Sequence, residues 1–243
     1  MRYAIIAAGE GSRLVSEGIL TPKPLVNVGG EALIDRLIRI FMQNDAEEIV
    51  VICNDKTALT GAHLSALERD GLRGMPVPLR FTVKSTPSSM HSLYEISSYL
   101  TGAPYCLTTV DTIFDEDEFR GYIRAFRQTI ERGAADGVMG VTTYVDDEKP
   151  LYVSTKPDMT IKAFLDTADA SAQYVSGGIY GLSARSLDIL SSCIRRGESR
   201  LRNFQRALVA SGFRLCAYPF TKVLDIDHAS DIVAAEQFIS GEQ

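Results

Sequence analysis

The stretch RYAIIAAGEGSRLVSEGILTPKPLV, residues 2–26, contains the strongest structural signal in the chain. It opens with RYAIIAA (2–8), a nearly continuous apolar run that is typical of a parallel strand covered on both faces. The 22 residues from Gly9 to Gly30 then separate this strand from the next helical pattern. Loops between a strand and a helix usually have about 2–6 residues, and longer ones are mostly functional or disordered. Because this segment combines glycines and prolines with an arginine and a lysine, we expect it to form part of a functional site.

The pattern beyond this stretch predicts an α/β fold. Strand-like runs and helical patterns alternate, with strands at 48–53, 79–83 and 105–110 and helices at 31–44, 56–71 and 90–100. Such alternation favours parallel strands joined by right-handed crossovers. After about residue 138, short strand-like runs separated by brief turns indicate a partly antiparallel region. We predict a single α/β domain with a mixed, mainly parallel sheet and helices on both faces.

The composition narrows the class of protein. A net charge of −6 argues against a broad nucleic-acid surface, because such surfaces need clustered Lys and Arg. The four cysteines are far apart and form no CxxC pair, which argues against a zinc site and fits a reducing cytoplasm. Strand-like residues begin at Arg2, which leaves no room for a signal peptide, and no apolar run reaches the ~18 residues of a membrane helix. We therefore expect a cytoplasmic protein that binds neither nucleic acid nor membranes, and the sequence leaves a homo-oligomer open.

The opening loop offers several groups that can hold phosphate. Gly9 and Gly11 permit a tight turn whose backbone amides point inward and can cradle phosphate oxygens. The guanidinium of Arg13 adds a fork of hydrogen-bond donors. Prolines on both sides of Lys23 stiffen its backbone and place its charge. We expect this lysine to bury little surface, as part of a segment that stays extended.

Other interpretations of the loop are weaker. The dinucleotide-binding pattern GxGxxG is only half met, because Leu14 stands in place of the third glycine and we expect no helix to start at once. The Walker pattern GxxxxGK[ST] is absent. An ordinary surface loop that happens to contain Gly and Pro is the simplest alternative. A phosphate-binding loop accounts for the glycines, Arg13 and Lys23 together, and it is our main hypothesis.

Three segments carry a family resemblance. AAGEGSRL (7–14), TPKPLV (21–26) and GGEALIDRLI (29–38) resemble the start of the sugar nucleotidyltransferases, also called nucleotide-sugar pyrophosphorylases. The run STPSSMHSLYEI (85–96) is similar to their choline-phosphate cytidylyltransferase-like branch, although it is rich in Ser where that branch is rich in Asn. The resemblance implies a Rossmann-like nucleotide-diphospho-sugar transferase fold.

The resemblance also implies how the chain is divided and which residues bind the nucleotide. Residues 1–137 would form a nucleotide-binding half, and residues 138–243 an acceptor-binding half. Arg13 would contact the outer phosphates and Lys23 the reacting phosphates, as the catalytic residues. The remaining nucleotide contacts would come from the loop and from the nucleobase pocket, at Ala7, Ala8, Gly9, Gly11, Ser88, Ser89 and His91. The last three could each instead belong to a plain helix N-cap.

Two sites in the sequence carry aspartates where strands should end. Asp111 follows the run YCLTTV, and Asp225 and Asp227 lie in DIDHASD (225–231). Ligands of parallel sheets bind beyond the carboxyl ends of the strands, and carboxylates hold Mg²⁺. By resemblance these aspartates bind Mg²⁺, or Mn²⁺, and we favour Asp225 over Asp227. Asp111 could instead be an N-cap or turn residue, and Asp227 could cap the last helix.

The acceptor side is less well defined. By resemblance, Gly177 and Gly178 in YVSGGIYGLS (174–183) line the acceptor site, where glycines let a ligand approach the backbone, although a β-bulge would also explain them. Many members of the family contact the sugar phosphate with a Glu-Lys pair, and Lys162, which alone lies near that place, is by resemblance the candidate for this acceptor contact. The family often has a tryptophan before the second metal-binding aspartate, and this chain has no tryptophan.

We therefore expect a nucleotidyltransferase that joins an NTP to a phosphorylated small molecule, a sugar-1-phosphate or a phosphocholine-like acceptor, and releases pyrophosphate. One alternative is a metal-dependent glycosyltransferase of the same fold type, with Asp225-Ile226-Asp227 as its DxD motif. The Gly-x-Gly-x-Arg loop, however, has no role with a diphosphate-sugar donor. The other alternative is a catalytically silent nucleotide-sugar-binding protein, against which the intact Arg13, Lys23 and aspartates argue.

Overall fold

The computed structural model of the chain describes residues 1–145, 148–169 and 172–241. Its strands are β1 (Arg2–Ala7), β2 (Asn27–Val28), β3 (Glu31–Ala32), β4 (Glu48–Cys53), β5 (Leu79–Val83), β6 (Tyr105–Thr109), β7 (Thr112–Phe114), β8 (Gly137–Thr142), β9 (Tyr152–Thr155), β10 (Ile161–Leu165), β11 (Ala172–Leu182), β12 (Leu215–Phe220) and β13 (Val223–Asp225). Its helices are α1 (Ser12–Ser16), α2 (Leu33–Met42), α3 (Ala58–Asp70), α4 (Ser89–Ile96), α5 (Glu116–Glu131), α6 (Ser186–Arg195), α7 (Leu201–Ala210) and α8 (Ala229–Ser240). None of the helices in these ranges has the length and hydropathy needed to cross a bilayer.

One mixed sheet runs through the centre of the molecule. β1 lies between β4 and β6, and β5 continues the sheet beyond β4, with parallel pairing throughout. β11 runs antiparallel to β6 and also pairs antiparallel with β8 and β9. β12 adds parallel to β8, and β10 adds antiparallel to β9. The predicted α/β domain, with a parallel first half and a partly antiparallel second half, is confirmed.

The residues of β1 show why helices cover both faces of this sheet. Tyr3, Ile5 and Ala7 point into one core cluster, whereas Ala4 and Ile6 point into another, and none is more than 6% exposed. Successive residues of a strand face opposite sides, so a strand that is apolar throughout requires a layer on each side. The first cluster contains side chains from α2, α3, α5 and α8, and the second contains side chains from α4, α6 and α7.

The opening segment does not stay extended, so that expectation is wrong. α1 begins directly after Gly11, whose φ of +61° lets the chain turn from the end of β1 into a helix. Leu14 of α1 is 1% exposed and anchors this short helix to the core. A second turn, the 3₁₀ helix Lys23–Leu25, contains the predicted catalytic lysine.

A two-stranded pair beyond the edge of the main sheet positions the predicted acidic residues. β7 and β13 are antiparallel, with Thr112 opposite Asp225 and Phe114 opposite Val223. The backbone N–H of Ile226 donates to the carbonyl oxygen of Asp111 at 3.1 Å. The chain after β6 and the chain before α8 therefore meet at the carboxyl end of β6, where ligands of parallel sheets bind.

The sheet packs so closely against α5 that Gly181 of β11 has no room for a side chain. A Cβ at this position would lie 2.7 Å from Cδ2 of Phe126 and 2.7 Å from the hydroxyl oxygen of Tyr122. Both rings are fully buried and have little room to move. Gly181→Ala should therefore lower the free energy of unfolding by about 1–3 kcal/mol, measured by urea unfolding followed by circular dichroism.

Gly61→Ala is a suitable control for that variant. Gly61 lies inside α3, and its added methyl group would meet only the exposed Val83 side chain, at 3.3 Å. Alanine is a better helix former than glycine by about 1 kcal/mol, so this variant should be as stable as the parent or more stable. A Gly181→Ala protein that unfolds at the parental urea concentration would contradict close packing between β11 and α5.

Candidate active site

Lys23 is at the centre of the site. Its ammonium Nζ lies 2.5 Å from Oδ2 of Asp111 and 2.7 Å from Oδ1 of Asp227. The side chain is only 9% exposed, so the expectation that it buries little surface is wrong. The burial follows from Gly11, where a Cβ would lie 3.2 Å from Cβ of Lys23, so a bulkier residue would push the lysine outward.

The environment keeps Lys23 charged. Burial alone would lower the pKa of its amine, but the charges and hydrogen bonds of Asp111 and Asp227 outweigh burial and raise the pKa to about 12. Because this pKa lies above the ordinary 10.5, the interaction stabilises the fold fully below about pH 10.5. The stabilisation is lost only as the pH rises through about 12.

One alternative was that Asp227 caps the last helix, and the structure shows that it does not. The N-cap of α8 is His228, which forms a capping box with Asp231. Asp227 instead accepts a hydrogen bond from Nη1 of Arg13 at 2.6 Å, besides its contact with Lys23. Burial tends to raise the pKa of Asp227, but these two cations hold it below its usual value. Asp227 thus connects the two predicted catalytic residues.

Arg13 projects from α1 and is about half exposed. Its Nη2 lies 3.5 Å from Glu148 in addition to the contact with Asp227. α1 is fixed to the start of α8 through Glu17, whose carboxylate lies 2.6 Å from Nδ1 of His228 and accepts from the backbone N–H of Ala229 at 2.6 Å. These contacts fix α1, so that Arg13 and Lys23 face the same cavity.

A cavity of about 540 Å³ opens beside these residues, and we call it the loop cavity. It is lined by Ile6, Ala8–Arg13, Lys23, Thr86–Ser89, Ser92, Thr109–Asp111 and Asp227. Of the predicted nucleotide-binding residues, the structure brings Ala8, Gly9, Gly11, Ser88 and Ser89 to this cavity. Ala7 is 1% exposed within β1 and does not line it. His91 does not line it either, and its Nδ1 lies 2.9 Å from Oγ of Ser88.

A second cavity, of about 310 Å³, adjoins the first, and we call it the β11 cavity. It is lined by Ser89, Thr109, Asp111, Leu151, Ser176, Gly178, Tyr180, Arg200, Leu201, Arg202, Gln205 and Asp225. Ser89, Thr109 and Asp111 line both cavities. The structure therefore places Asp111 where the two cavities meet and Asp225 on the wall of the second.

The two glycines of β11 lie in a β-bulge, which was one of the two explanations that the sequence allowed for them. The register with β8 shifts between Ser176 and Ile179. Gly178 has a φ of +69°, and a Cβ there would lie 2.9 Å from Oγ1 of Thr112. Gly178 lines the β11 cavity, whereas Gly177 lines a smaller neighbouring cavity near Asp225 and Asp227. The β-bulge is thus also what brings the backbone of Gly178 to the wall of the β11 cavity.

Positive charge reaches the β11 cavity from residues that the sequence analysis missed. Lys162 is exposed on β10 and lines neither cavity. Arg200 and Arg202, at the start of α7, line the β11 cavity instead. The signal in the sequence that could have identified these arginines was their position at the start of a helix, because a helix N-terminus favours anions over cations. Two arginines and no acidic residue in such a place indicate a role other than helix stability.

The aspartates fit a magnesium ion that arrives with phosphate groups. Asp111 and Asp225 both line the β11 cavity. Within residues 1–145, 148–169 and 172–241, no three His, Cys, Asp or Glu side chains form a metal-ligand group. Mg²⁺ is usually bound through one or two carboxylates together with water and substrate phosphates, so two aspartates are sufficient.

Comparison with known sequences gives a match over most of the chain. The family model of the MobA-like NTP transferase domain matches residues 3–208. Among curated proteins, the glucose-1-phosphate cytidylyltransferase of Salmonella typhimurium strain LT2 is 30% identical over 56 residues. That match covers 23% of this chain and 22% of the relative, so the chain aligns with only about a fifth of the relative's length.

Solved structures share the fold over nearly the whole chain. A Bacillus anthracis protein described as a candidate glucose-1-phosphate thymidylyltransferase, in complex with sucrose, has a TM-score of 0.82 at 20% identity, covering 98% of this chain and 94% of that chain. UTP-bound UGPase from Acinetobacter baumannii has a TM-score of 0.80 at 14% identity, covering 100% and 94%. The inositol-1-phosphate CTP transferase of T. maritima has a TM-score of 0.73 at 17% identity, covering 97% and 96%.

The buried position of Lys23 leads to a stability prediction. Lys23→Met removes the ammonium group, so Asp111 loses this cation and Asp227 keeps only its contact with Arg13. We expect the free energy of unfolding at pH 7 to fall by about 1–3 kcal/mol. Adding Asp227→Asn should recover part of that loss, because residues in direct contact are not additive. Urea unfolding of the two single variants and the double variant measures the coupling.

Lys156→Met is the control, since Lys156 is an exposed lysine in the turn after β9. Its stability should stay within about 0.5 kcal/mol of the parent. If Lys23→Met were as stable as Lys156→Met, the contact between the ammonium group and the two aspartates would not stabilise the fold.

Proposed function

The chain belongs to the MobA-like NTP transferase family, which confirms the family resemblance of its opening segments, and on this basis we propose its reaction. It transfers a nucleotidyl group from an NTP to the phosphate of a sugar or polyol and releases pyrophosphate. The solved structures of similar fold and the curated relative, whose names include sugar-1-phosphate and inositol-1-phosphate nucleotidyltransferases, support this proposal.

One observation carries the proposal. Two cavities meet at Ser89, Thr109 and Asp111, and the ammonium group of Lys23 lies 2.5 Å from the carboxylate of Asp111 at that junction. A transfer between two anionic substrates needs two adjoining sites with a fixed cation at the point of contact. The loop cavity supplies the first site and the β11 cavity the second.

The loop cavity is suited to a triphosphate. Backbone amides between Gly9 and Arg13 face phosphate oxygens, and the Arg13 guanidinium holds the outer phosphates. Lys23 neutralises charge at the reacting phosphate. An oxygen of the acceptor's phosphate attacks the α-phosphorus in line with the bond to the β-phosphate. That P–O bond breaks, and pyrophosphate leaves with the electron pair. The attacking oxygen is already ionised at neutral pH, so no general base is needed.

Asp111 and Asp225 would hold Mg²⁺, or Mn²⁺ in its place. Asp111 and Asp225 both line the β11 cavity, whereas Asp227 does not line it and contacts Lys23 and Arg13 in the loop cavity. A bound divalent cation neutralises phosphate charge and orients the phosphate groups. Asp227 has a different role in this arrangement, because it keeps the two cations of the opening segment in place.

The β11 cavity favours a hydroxyl-bearing acceptor over phosphocholine. Quaternary ammonium groups are usually bound by cages of several aromatic rings. Among the residues that the structure describes, Tyr180 is the one aromatic ring that lines this cavity, and Arg200 and Arg202 would repel the quaternary ammonium group of phosphocholine. Ser176 donates to Oε1 of Gln205 at 3.3 Å, and this polar floor can bind hydroxyl groups. A sugar or polyol phosphate therefore fits better.

The division of the chain follows the two cavities. We infer that residues 1–137 bind the nucleotide, since they supply all the loop cavity except Asp227. Residues 138–243 bind the acceptor, since they supply the β11 cavity apart from Ser89, Thr109 and Asp111. The three shared residues mark the place of reaction rather than a boundary between domains.

Product analysis tests the proposed reaction. The four NTPs should be mixed with sugar-1-phosphates, myo-inositol 1-phosphate and phosphocholine, and nucleotide products separated by chromatography. We expect pyrophosphate and an NDP-linked product with one sugar or polyol phosphate, and none with phosphocholine. Transfer from a nucleotide sugar without pyrophosphate would indicate the glycosyltransferase alternative. Nucleotide binding without any product would indicate a silent binding protein.

Asparagine variants test the two proposed metal ligands. Asp111→Asn and Asp225→Asn should each lower turnover by more than about tenfold, and the double variant should be little worse than the poorer single one, because residues that share one ion are not additive. Asp158→Asn, in an exposed turn, is the control. Full activity of Asp111→Asn would reject the proposed site.

Chelation gives a separate test of the metal. Product formation should stop with excess chelator and return with Mg²⁺ or Mn²⁺. The melting temperature of the ligand-free protein should stay nearly unchanged, because no structural metal-ligand group occurs within residues 1–145, 148–169 and 172–241. Mn²⁺ binding in the presence of NTP, followed by electron paramagnetic resonance, should weaken in Asp225→Asn. Chelator-resistant transfer would contradict this part of the proposal.

A further inference from the structure

Arg200 is a cation at the β11 cavity that no internal contact accounts for. It lies between α6 and α7, it is exposed, and it lines the cavity together with Asp111 and Asp225. Within the part of the chain that the structure describes, its guanidinium group forms no hydrogen bond or ion pair. Arg202, its neighbour in the cavity, is held by Asp166 at 3.2 Å and by the carbonyl oxygen of Lys149 at 2.9 Å. Arg200 is therefore the cation of this cavity that is available to a ligand.

The backbone of Arg200 is strained. Its φ of +69° lies in a region that residues with a side chain rarely adopt. The strain is held in place from the loop cavity, because the N–H of Arg200 donates to Oγ of Ser88 and the N–H of Leu201 donates to Oγ of Ser89, both at 3.2 Å. Strained residues persist where the surrounding structure fixes them, and they concentrate at functional sites.

The electrostatics of α7 point to an anion. Arg200 is the N-cap of this ten-residue helix and Arg202 lies in its first turn, where the helix dipole disfavours cations. The first turn contains no acidic residue that would compensate. An anionic ligand beside Arg200 would relieve this arrangement, and the acceptor's phosphate is the anion that must enter the β11 cavity during the proposed reaction.

We propose that Arg200 binds the phosphate of the acceptor, and that Ser88 and Ser89 are positioning residues that set its place. This inference rests on the proposed function. The two serines were expected to bind the nucleobase, and this inference gives them a different role. They accept hydrogen bonds from the backbone at the start of α7 and so connect the wall of the nucleotide site to the acceptor site. Their main effect is then on acceptor affinity rather than on nucleotide affinity.

Variants at Arg200 separate binding from folding. Arg200→Gln removes the charge and keeps most of the length. Arg200→Gly removes the charge and also relieves the positive φ, so its melting temperature should equal or exceed that of the parent. Arg214→Gln is the matched control, because Arg214 is exposed at the amino end of β12, away from the carboxyl end where the site lies.

Two measurements are needed for each protein. Calorimetry gives the Kd of glucose 1-phosphate and of myo-inositol 1-phosphate, and separately that of the NTP. Chromatography gives the KM of the acceptor and kcat. For Arg200→Gln and Arg200→Gly we expect the acceptor Kd and KM to rise at least about tenfold, since a charge-assisted contact is lost, with the NTP Kd within about twofold. Ser88→Ala should raise the acceptor KM by a smaller factor and leave the NTP Kd unchanged.

The outcomes distinguish this inference from the proposed function. An acceptor phosphate that binds the parent protein and binds Arg200→Gly equally well would overturn the role of Arg200, as would the absence of acceptor binding to the parent. An equal loss of NTP affinity in Arg200→Gly would place the arginine on the nucleotide instead. Arginine-dependent acceptor binding without any pyrophosphate release would support the acceptor site and reject the proposed reaction.

Discussion

The ammonium group of Lys23, held between Asp111 and Asp227, connects parts of the chain that are far apart in sequence. Lys23 belongs to the opening segment, Asp111 follows β6, and Asp227 precedes α8. A buried cation without such partners would lose its hydration without compensation, which is costly. The three segments must therefore come together in the folded state, and the shapes of both cavities depend on that contact.

The same contact explains why a cavity suited to anions contains carboxylates. In the protein alone, the carboxylate of Asp227 contacts both Lys23 and Arg13 and keeps these long side chains ordered. In the proposed reaction a triphosphate would take over these donors, and Asp227 would become hydrated, since its side chain is already 39% exposed. The two cations would then need little reorganisation when the proposed nucleotide binds, and a smaller entropic cost would leave more of the interaction energy for affinity.

The sequence predicted the features that have a local signal. β1 and its neighbouring strands follow from apolar runs, and the glycine turn after β1 follows from the glycine positions, whereas phosphate binding by the opening segment stays a prediction. α1 was missed because five residues are too few to show a helical period, and it depends on Gly11 and on the core contact of Leu14. The partners of Asp227 and the place of Arg200 come from long-range packing, which spacing along the chain does not report.

The reversed direction of β11 is what joins the two cavities. β11 has 11 residues and pairs with the five-residue β6 so that Ile179 lies opposite Thr108. Because the strands are antiparallel, the residues before Ile179 extend past the carboxyl end of β6, next to Asp111. A parallel strand would leave the sheet there as a loop, whereas β11 continues as a wall supported by β8 and β9. Gly178 lies in this overhang, where its missing Cβ leaves room beside Thr112. The partly antiparallel half of the sheet thus supplies a wall of the β11 cavity at the edge where the parallel half presents the opening segment, which is the arrangement that the proposed transfer between two sites requires.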